Sequence, residues 1–291
     1  MRPNGLKTRI FLDGGDPKET EEVISLLGFL DGQTTNPTLI AKNPEAAGRL
    51  ERGEKFSEGE ILDFYKGVVT KLSGIIPDGS ISIEVYSDEN TSPEEMVNQS
   101  LDMYSWIPNA HIKFPATKNG LAAGEIAVNK DMRVNMTLVF TQEQSAAVYA
   151  ATKNANSPHQ VFVSPFVGRL DDLGENGMDL IKNIVEMYKT GNHHVEILTA
   201  SVRNMDHFLY ALSLGSDIIT APFKILQQWG EEGMKIPDNN YIYPKGELTE
   251  IPYKYLDLNK NWEEFNINHD LTSKGIAKFS EDWNNLIDKA S

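Results

Sequence analysis

Strand-like and helix-like runs alternate about eight times along this chain, and that alternation restricts the fold more than any other feature. TRIFLDG, from Thr8, reads as a strand. PKETEEVISLLGFL, from Pro17, reads as a helix with Asp16 as N-cap and Pro17 at its first position. GQTTNP, from Gly32, is a short strand or strand end. SEGEILDFYKGVVTKL, from Ser57, has apolar residues at helical spacing and opens on a capping box, Ser57 with Glu60. SISIEVY, from Ser80, is the next strand, and SPEEMVNQSLDMYSWI, from Ser92, a helix with its own box, Ser92 with Glu95. The pattern continues with HIKFPA then NGLAAGEIAVNK, RVNMTLVF then TQEQSAAVYAAT (capped by Thr141), and VFVSPFV then GMDLIKNIVEMYKTG (closed by Gly191). HVEILTA then NMDHFLYALSLG (closed by Gly215), and DIITAP then PFKILQQWG, complete it.

Strands joined by helical crossovers pair in parallel, so the chain calls for a parallel sheet wrapped by helices. The number of units, over roughly 250 residues, points to an α/β chain forming a (β/α)8 TIM barrel. The runner-up is an open doubly wound sheet, but no Gly-x-Gly-x-x-Gly follows the first strand. The barrel is assigned to 1–230. A C-terminal extension, 231–291, is polar, aromatic and proline-punctuated before a helical stretch, SKGIAKFSEDWNNLIDKA, from Ser273. Its stripe of Ile276, Phe279, Trp283 and Ile287 has to dock on this barrel or on a partner, and a homo-oligomer stays open.

Composition removes several function classes. The chain has no cysteine, which rules out thiol nucleophiles, disulfides and Cys-zinc sites and fits a reducing cytoplasm. A net charge of −15 opposes nucleic acid and anionic membrane surfaces. An anionic small substrate would need arginines placed locally, because screening acts over roughly 8 Å. No apolar run approaches the roughly 20 residues of a membrane span, and MRPNGLKTRIFLDGG lacks a signal-like apolar core.

In such a barrel the chemistry sits at the C-terminal ends of the strands. The polar residues there are Asp13, Asn36, Glu84, Lys113, Asn135 with Thr137, Ser164 with Arg169, and Ser201 with Arg203. Each has a structural reading: Asp13 as turn chemistry beside Gly14 and Gly15, Asn36 as a loop residue before Pro37, Glu84 and Lys113 as an internal ion pair. Lys113 is the sharpest of them, since it lies between Ile112 and Phe114 in HIKFPAT, and a buried ammonium is costly unless paired or deprotonated. Either it snorkels from an edge strand, or its site makes it a nucleophile. As a set, these groups suit Schiff-base chemistry. A lysine attacks a carbonyl, a carboxylate removes a hydroxyl proton, donors hold a polyol and arginines hold a phosphate. That chemistry requires no metal. A metal site at His193 and His194 is disfavoured because neighbouring strand residues face opposite ways, and RLDDLGEN reads as a solvated turn.

FLDGGD, DGQTTNPTLI, SIEVYSDE, HIKFPATKNGLAA, VNMTLVFT, FVSPFVGRLDD and TASVRN together resemble the transaldolases, up to about Gly230. The resemblance implies a cytoplasmic, cofactor-free enzyme of the pentose phosphate pathway acting on small sugar phosphates. It would transfer a dihydroxyacetone unit from sedoheptulose 7-phosphate or fructose 6-phosphate to an aldose phosphate. It implies Lys113 as the Schiff-base lysine, Asp13 as the acid/base, and Glu84 with Thr137 as the pair that activates water. Asn36, Asn135 and Ser164 would bind the dihydroxyacetone unit, and Arg169, Ser201 and Arg203 the phosphate. A sister branch, the fructose-6-phosphate aldolases, typically carries Gln at the position of Glu84 and Tyr at that of Phe166. Phe166 lines the substrate without a proton to give, which favours transfer over release of free dihydroxyacetone. An aldolase, or a catalytically silent sugar-phosphate-binding barrel, are the alternatives.

Overall fold

The computed structural model of the chain describes residues 1–238 and 240–288. Eight parallel strands close into a barrel in sequence order: β1 (Arg9–Asp13), β2 (Gly32–Thr34), β3 (Ser80–Glu84), β4 (Ala110–Pro115), β5 (Val134–Val139), β6 (Val161–Pro165), β7 (Val195–Thr199) and β8 (Ile218–Ala221). β8 returns to pair with β1, so no edge strand remains and Lys113 has no edge from which to snorkel. The chain is a (β/α)8 barrel, and the open sheet is excluded by this closure.

The helices are α1 (Pro17–Leu27), α2 (Pro37–Ala41), α3 (Pro44–Glu51), α4 (Glu58–Ile75), α5 (Pro93–Tyr104), α6 (Lys118–Val128), α7 (Gln142–Ala151), α8 (Val167–Asp171), α9 (Gly177–Tyr188), α10 (Met205–Leu214), α11 (Phe223–Glu231) and α12 (Asp270–Leu286). Both expected capping boxes form, Ser57 with Glu60 and Ser92 with Glu95, and Gly215 ends α10 in the left-handed region. Gly191 does not close α9. Lys189 is the C-cap, and Gly191 is small because a Cβ there would meet the Tyr149 hydroxyl. Sequence periodicity also misses three short helices. The expected strand over GQTTNP stops at Thr34, because the Asn36 side chain accepts from the Leu39 N–H and starts α2, with α3 directly after it. Likewise β6 stops at Pro165 and α8 follows.

After α11 the chain runs along the outside of the barrel. Tyr243 stacks on Tyr210 of α10 with centroids 5.1 Å apart, and Asn183 of α9 donates to the Ile251 carbonyl. Gln142 of α7 exchanges two hydrogen bonds with the Lys254 main chain, and Trp262 donates to Glu125 of α6. α12 then crosses the C-terminal mouth and packs on α2 and β5, burying Ile276, Phe279 and Trp283. It begins at Asp270, three residues before the stretch read from the sequence, because His269 caps it. Ile287 lies beyond its end and bridges to Phe56. Lys289 and Ala290, the end of that stretch, and Asn239 lie outside the described residues. Among the described residues no helix is long and apolar enough to cross a membrane.

Candidate active site

Strand register assembles the centre of the barrel. Glu84 on β3 is the lateral partner of Lys113 on β4, and Lys113 is the partner of Asn135 on β5. Residues so paired point to the same side of a sheet, here the barrel interior, where Lys113 and Glu84 are each 3% exposed. Lys113 Nζ lies 2.8 Å from Glu84 Oε2 and donates to the Thr35 carbonyl at 2.9 Å. Apart from this ion pair, Oε2 has no hydrogen-bond partner among the described residues. Burial pushes the Glu84 carboxyl above its ordinary value, with the Lys113 charge as the main influence in the other direction.

Asp13, at the end of β1, has the same character. Burial raises its carboxyl, and Lys113, Thr34 and Arg169 pull it back. Its orientation comes from a relay. The Thr34 hydroxyl donates to Asp13 Oδ1 at 2.7 Å, so the Thr220 hydroxyl, 2.6 Å from Thr34 Oγ1, donates to Thr34. Two carboxyls raised by burial in the field of one buried amine are candidates for taking up and returning protons.

On β5 the register with β6 shifts between Met136 and Val139, and Leu138 takes φ +59°. A bulky residue in that region is strained, and bulges of this kind re-aim neighbouring side chains. α12 supports the bulge: the Thr272 hydroxyl donates to the Leu138 carbonyl at 2.9 Å. The buried Thr137 Oγ1 has no partner among the described residues. Asn135 is committed below the cavity, donating to Ser82 Oγ at 3.1 Å and accepting from Ser164 Oγ at 2.6 Å.

Above these groups opens a cavity of about 390 Å³, lined by Asp13, Asn36, Lys113, Thr137, Ser164 and Phe166 and rimmed by Lys42, Arg169, Ser201, Arg203 and Lys278. Four cations at one mouth are a strong local concentration in a chain of net charge −15. They are not equivalent. Arg203 is held by Asp172 through two hydrogen bonds of 2.9 and 2.7 Å, and Lys278 by Asp282 at 2.8 Å. Arg169 carries no ion pair among the described residues. Its guanidinium sits 5.2 Å from the Phe166 centroid and 5.5 Å from that of Phe279, and burial pulls it below its ordinary value. Gly168 permits this crowding, since a Cβ there would collide with Arg203 and the Ser201 carbonyl.

Of the residues read from the sequence, Asp13, Asn36, Lys113, Thr137, Ser164, Phe166, Arg169, Ser201 and Arg203 line this one cavity. Glu84 touches it through Lys113, and Asn135 lies behind Ser164. Sequence reasoning missed Thr34, Thr35 and Thr220, which hold Asp13 and Lys113, and it missed Lys42, Lys278 and Phe279. The two adjacent threonines of TTNP were the available signal for Thr34 and Thr35. Phe279 reads only as part of an apolar stripe, and nothing in the sequence says that α12 lies over the mouth.

The profile of the Transaldolase/Fructose-6-phosphate aldolase family matches residues 10–290. A "Probable transaldolase" of Dehalococcoides mccartyi is 32% identical over 96% of this chain and 99% of its own length. One from Geotalea daltonii is 34% identical over 94% and 97%, and one from Herpetosiphon aurantiacus 32% over 97% and 98%. The extension from Glu231, which no motif places, falls within the matched span as far as residue 290.

Proposed function

The chain belongs to the transaldolase/fructose-6-phosphate aldolase family, and from that premise we propose that it is a transaldolase working through a Schiff base on Lys113. The observation that carries this reading is the buried Lys113 amine, paired with Glu84 and within the electrostatic reach of Asp13, at the base of a cation-rimmed cavity. Lys113 Nζ adds to the ketose carbonyl carbon, its proton passing to Glu84. Glu84 returns that proton to the carbinolamine hydroxyl, which leaves as water, and an iminium ion remains. Asp13 then takes the proton of the hydroxyl two carbons away. The adjacent C–C bond breaks, its electron pair forms an enamine, and an aldose phosphate leaves. The enamine adds to an incoming aldehyde, Asp13 returns the proton to the new hydroxyl, and water releases the product. Thr137 Oγ1, without a hydrogen-bond partner among the described residues, and Glu84 Oε2, in contact with Lys113 Nζ, are the groups suited to hold that water. Arg169 meets the phosphate, since it lines the cavity and has no ion pair among the described residues to compete for its donors.

Phe166 against the cavity wall favours transfer over cleavage, since no phenol stands there to protonate the enamine. Borohydride reduction in the presence of fructose 6-phosphate tests the proposal. The peptide containing Lys113 should gain the reduced sugar fragment, and an unlabelled Lys113 would refute the Schiff-base reading. Sustained release of free dihydroxyacetone without an aldehyde acceptor would assign the aldolase reaction instead.

A further inference from the structure

Tyr65 is fully buried on α4, outside the strands, yet its hydroxyl reaches the barrel wall at the ends of β2 and β3. It accepts from the Glu84 main-chain N–H at 3.0 Å. It also lies 2.6 Å from Thr35 Oγ1, whose single proton goes to the Ser82 carbonyl at 2.7 Å, so the phenol is the donor to Thr35. The carbonyl of that same Thr35 receives Lys113 Nζ. One hydroxyl therefore ties together the strand end that carries Glu84 and the backbone that holds the lysine. Its ring is fixed from outside by Trp106, with centroids 6.0 Å apart, and by Trp283 of α12, at 5.8 Å. Burial holds the phenol well above its usual value, so it stays a donor throughout the working pH range.

We propose that Tyr65 is a positioning residue for the Lys113–Glu84 pair, acting through Thr35 and the Glu84 main chain, with Trp283 of the C-terminal helix clamping its ring. This rests on Lys113 being the Schiff-base lysine. It adds that the spacing of amine and carboxylate is set from the helical layer rather than by the strands alone. Small misplacements of reacting groups are costly, so loss of the hydroxyl should slow imine formation by about 10- to 100-fold while leaving the phosphate contacts intact.

Single-turnover borohydride trapping with fructose 6-phosphate, together with kcat, KM and thermal melting, tests this on wild type, Tyr65→Phe, Thr35→Val, Thr35→Ser and the Tyr65→Phe/Thr35→Val double variant. Trapping and kcat should fall in Tyr65→Phe and Thr35→Val, with KM changed by less than about threefold. Thr35→Ser, which restores the hydroxyl, should recover most of the rate lost in Thr35→Val. The double variant should be little worse than either single, because both break one relay. A Tyr65→Phe enzyme that traps at the wild-type rate, a Thr35→Ser as slow as Thr35→Val, or additive losses would overturn the inference. Should Tyr65→Phe not fold, the Thr35 pair decides alone. Failure of wild type to label Lys113 refutes the Schiff-base reading, and this inference with it, whereas labelled wild type with unaffected variants refutes this inference only.

Discussion

Replacing Lys113 with methionine should destabilise the protein only as the pH rises. Two unit charges 2.8 Å apart attract by about 6 kcal/mol at an effective dielectric of about 20. Desolvation costs several kcal/mol per ion, so the net loss on stranding one partner is about 3–5 kcal/mol. Glu84 can escape that loss by keeping its proton. Its folded value already lies above the ordinary 4.5 because of burial, and Lys113 is the main influence holding it down. Lys113→Met removes that influence and drives it higher, and Asp13 moves the same way. A carboxyl whose folded value exceeds its unfolded one contributes stability that is complete below about pH 4.5 and is lost as the pH passes through the folded value. Each further unit of elevation therefore costs about 1.4 kcal/mol at high pH and almost nothing at low pH. Thermal unfolding followed by circular dichroism at pH 5, 6.5 and 8 reads this directly. Wild type and variant should melt within a degree or two at about pH 5 and be separated by roughly 6–10 °C at pH 8. A gap independent of pH, or one that widens toward acid, would refute the coupling of Glu84 to the lysine.

Other perturbations separate the remaining contacts. Arg169→Ala should raise KM for a phosphorylated ketose by roughly 10-fold or more, and Arg203→Ala by less, because Asp172 already occupies Arg203. An unphosphorylated analogue should show neither effect in steady-state kinetics. Phe166→Tyr should increase the release of free dihydroxyacetone relative to transfer, measured without and with an aldehyde acceptor. Gly120→Ala should cost about 1–3 kcal/mol in urea unfolding, since its Cβ would collide with the Pro115 carbonyl at the end of the lysine's strand. His111, stacked on Phe162 at the barrel floor, donates from Nε2 to the His159 carbonyl and accepts from Ser80, and burial lowers its imidazole to about 3. The unfolded chain takes up that proton below 6.5, so His111→Phe should flatten the acid loss of stability by about 1.4 kcal/mol per pH unit in urea midpoints between pH 6.5 and 4.

What could be read from the chain alone was what depends on neighbours in sequence. Periodicity and capping boxes are local, so Ser57 with Glu60 and Ser92 with Glu95 mark true helix starts, and repeated strand–helix units imply a parallel barrel. Lys113 stood out because a charge between Ile112 and Phe114 conflicts with burial whatever the fold. The short helices α2, α3 and α8, of 5, 8 and 5 residues, were missed because they are too short to carry a helical period. Tyr65 reads in the sequence only as an apolar position of an amphipathic helix.

The tertiary structure alone decided which polar groups face one another. Register made Glu84 and not another carboxylate the lysine's neighbour, and bonded Asn135 to Ser164 behind the cavity. Packing left Arg169 without an ion pair among the described residues while giving Arg203 to Asp172, and it brought Phe279 and Trp283 from the far end of the chain to the mouth and to Tyr65. Sequence specifies the kinds of group and the period at which they recur. Pairing depends on distances across the closed barrel, between residues up to hundreds of positions apart, and those exist only once the strands have closed and α12 has crossed over them.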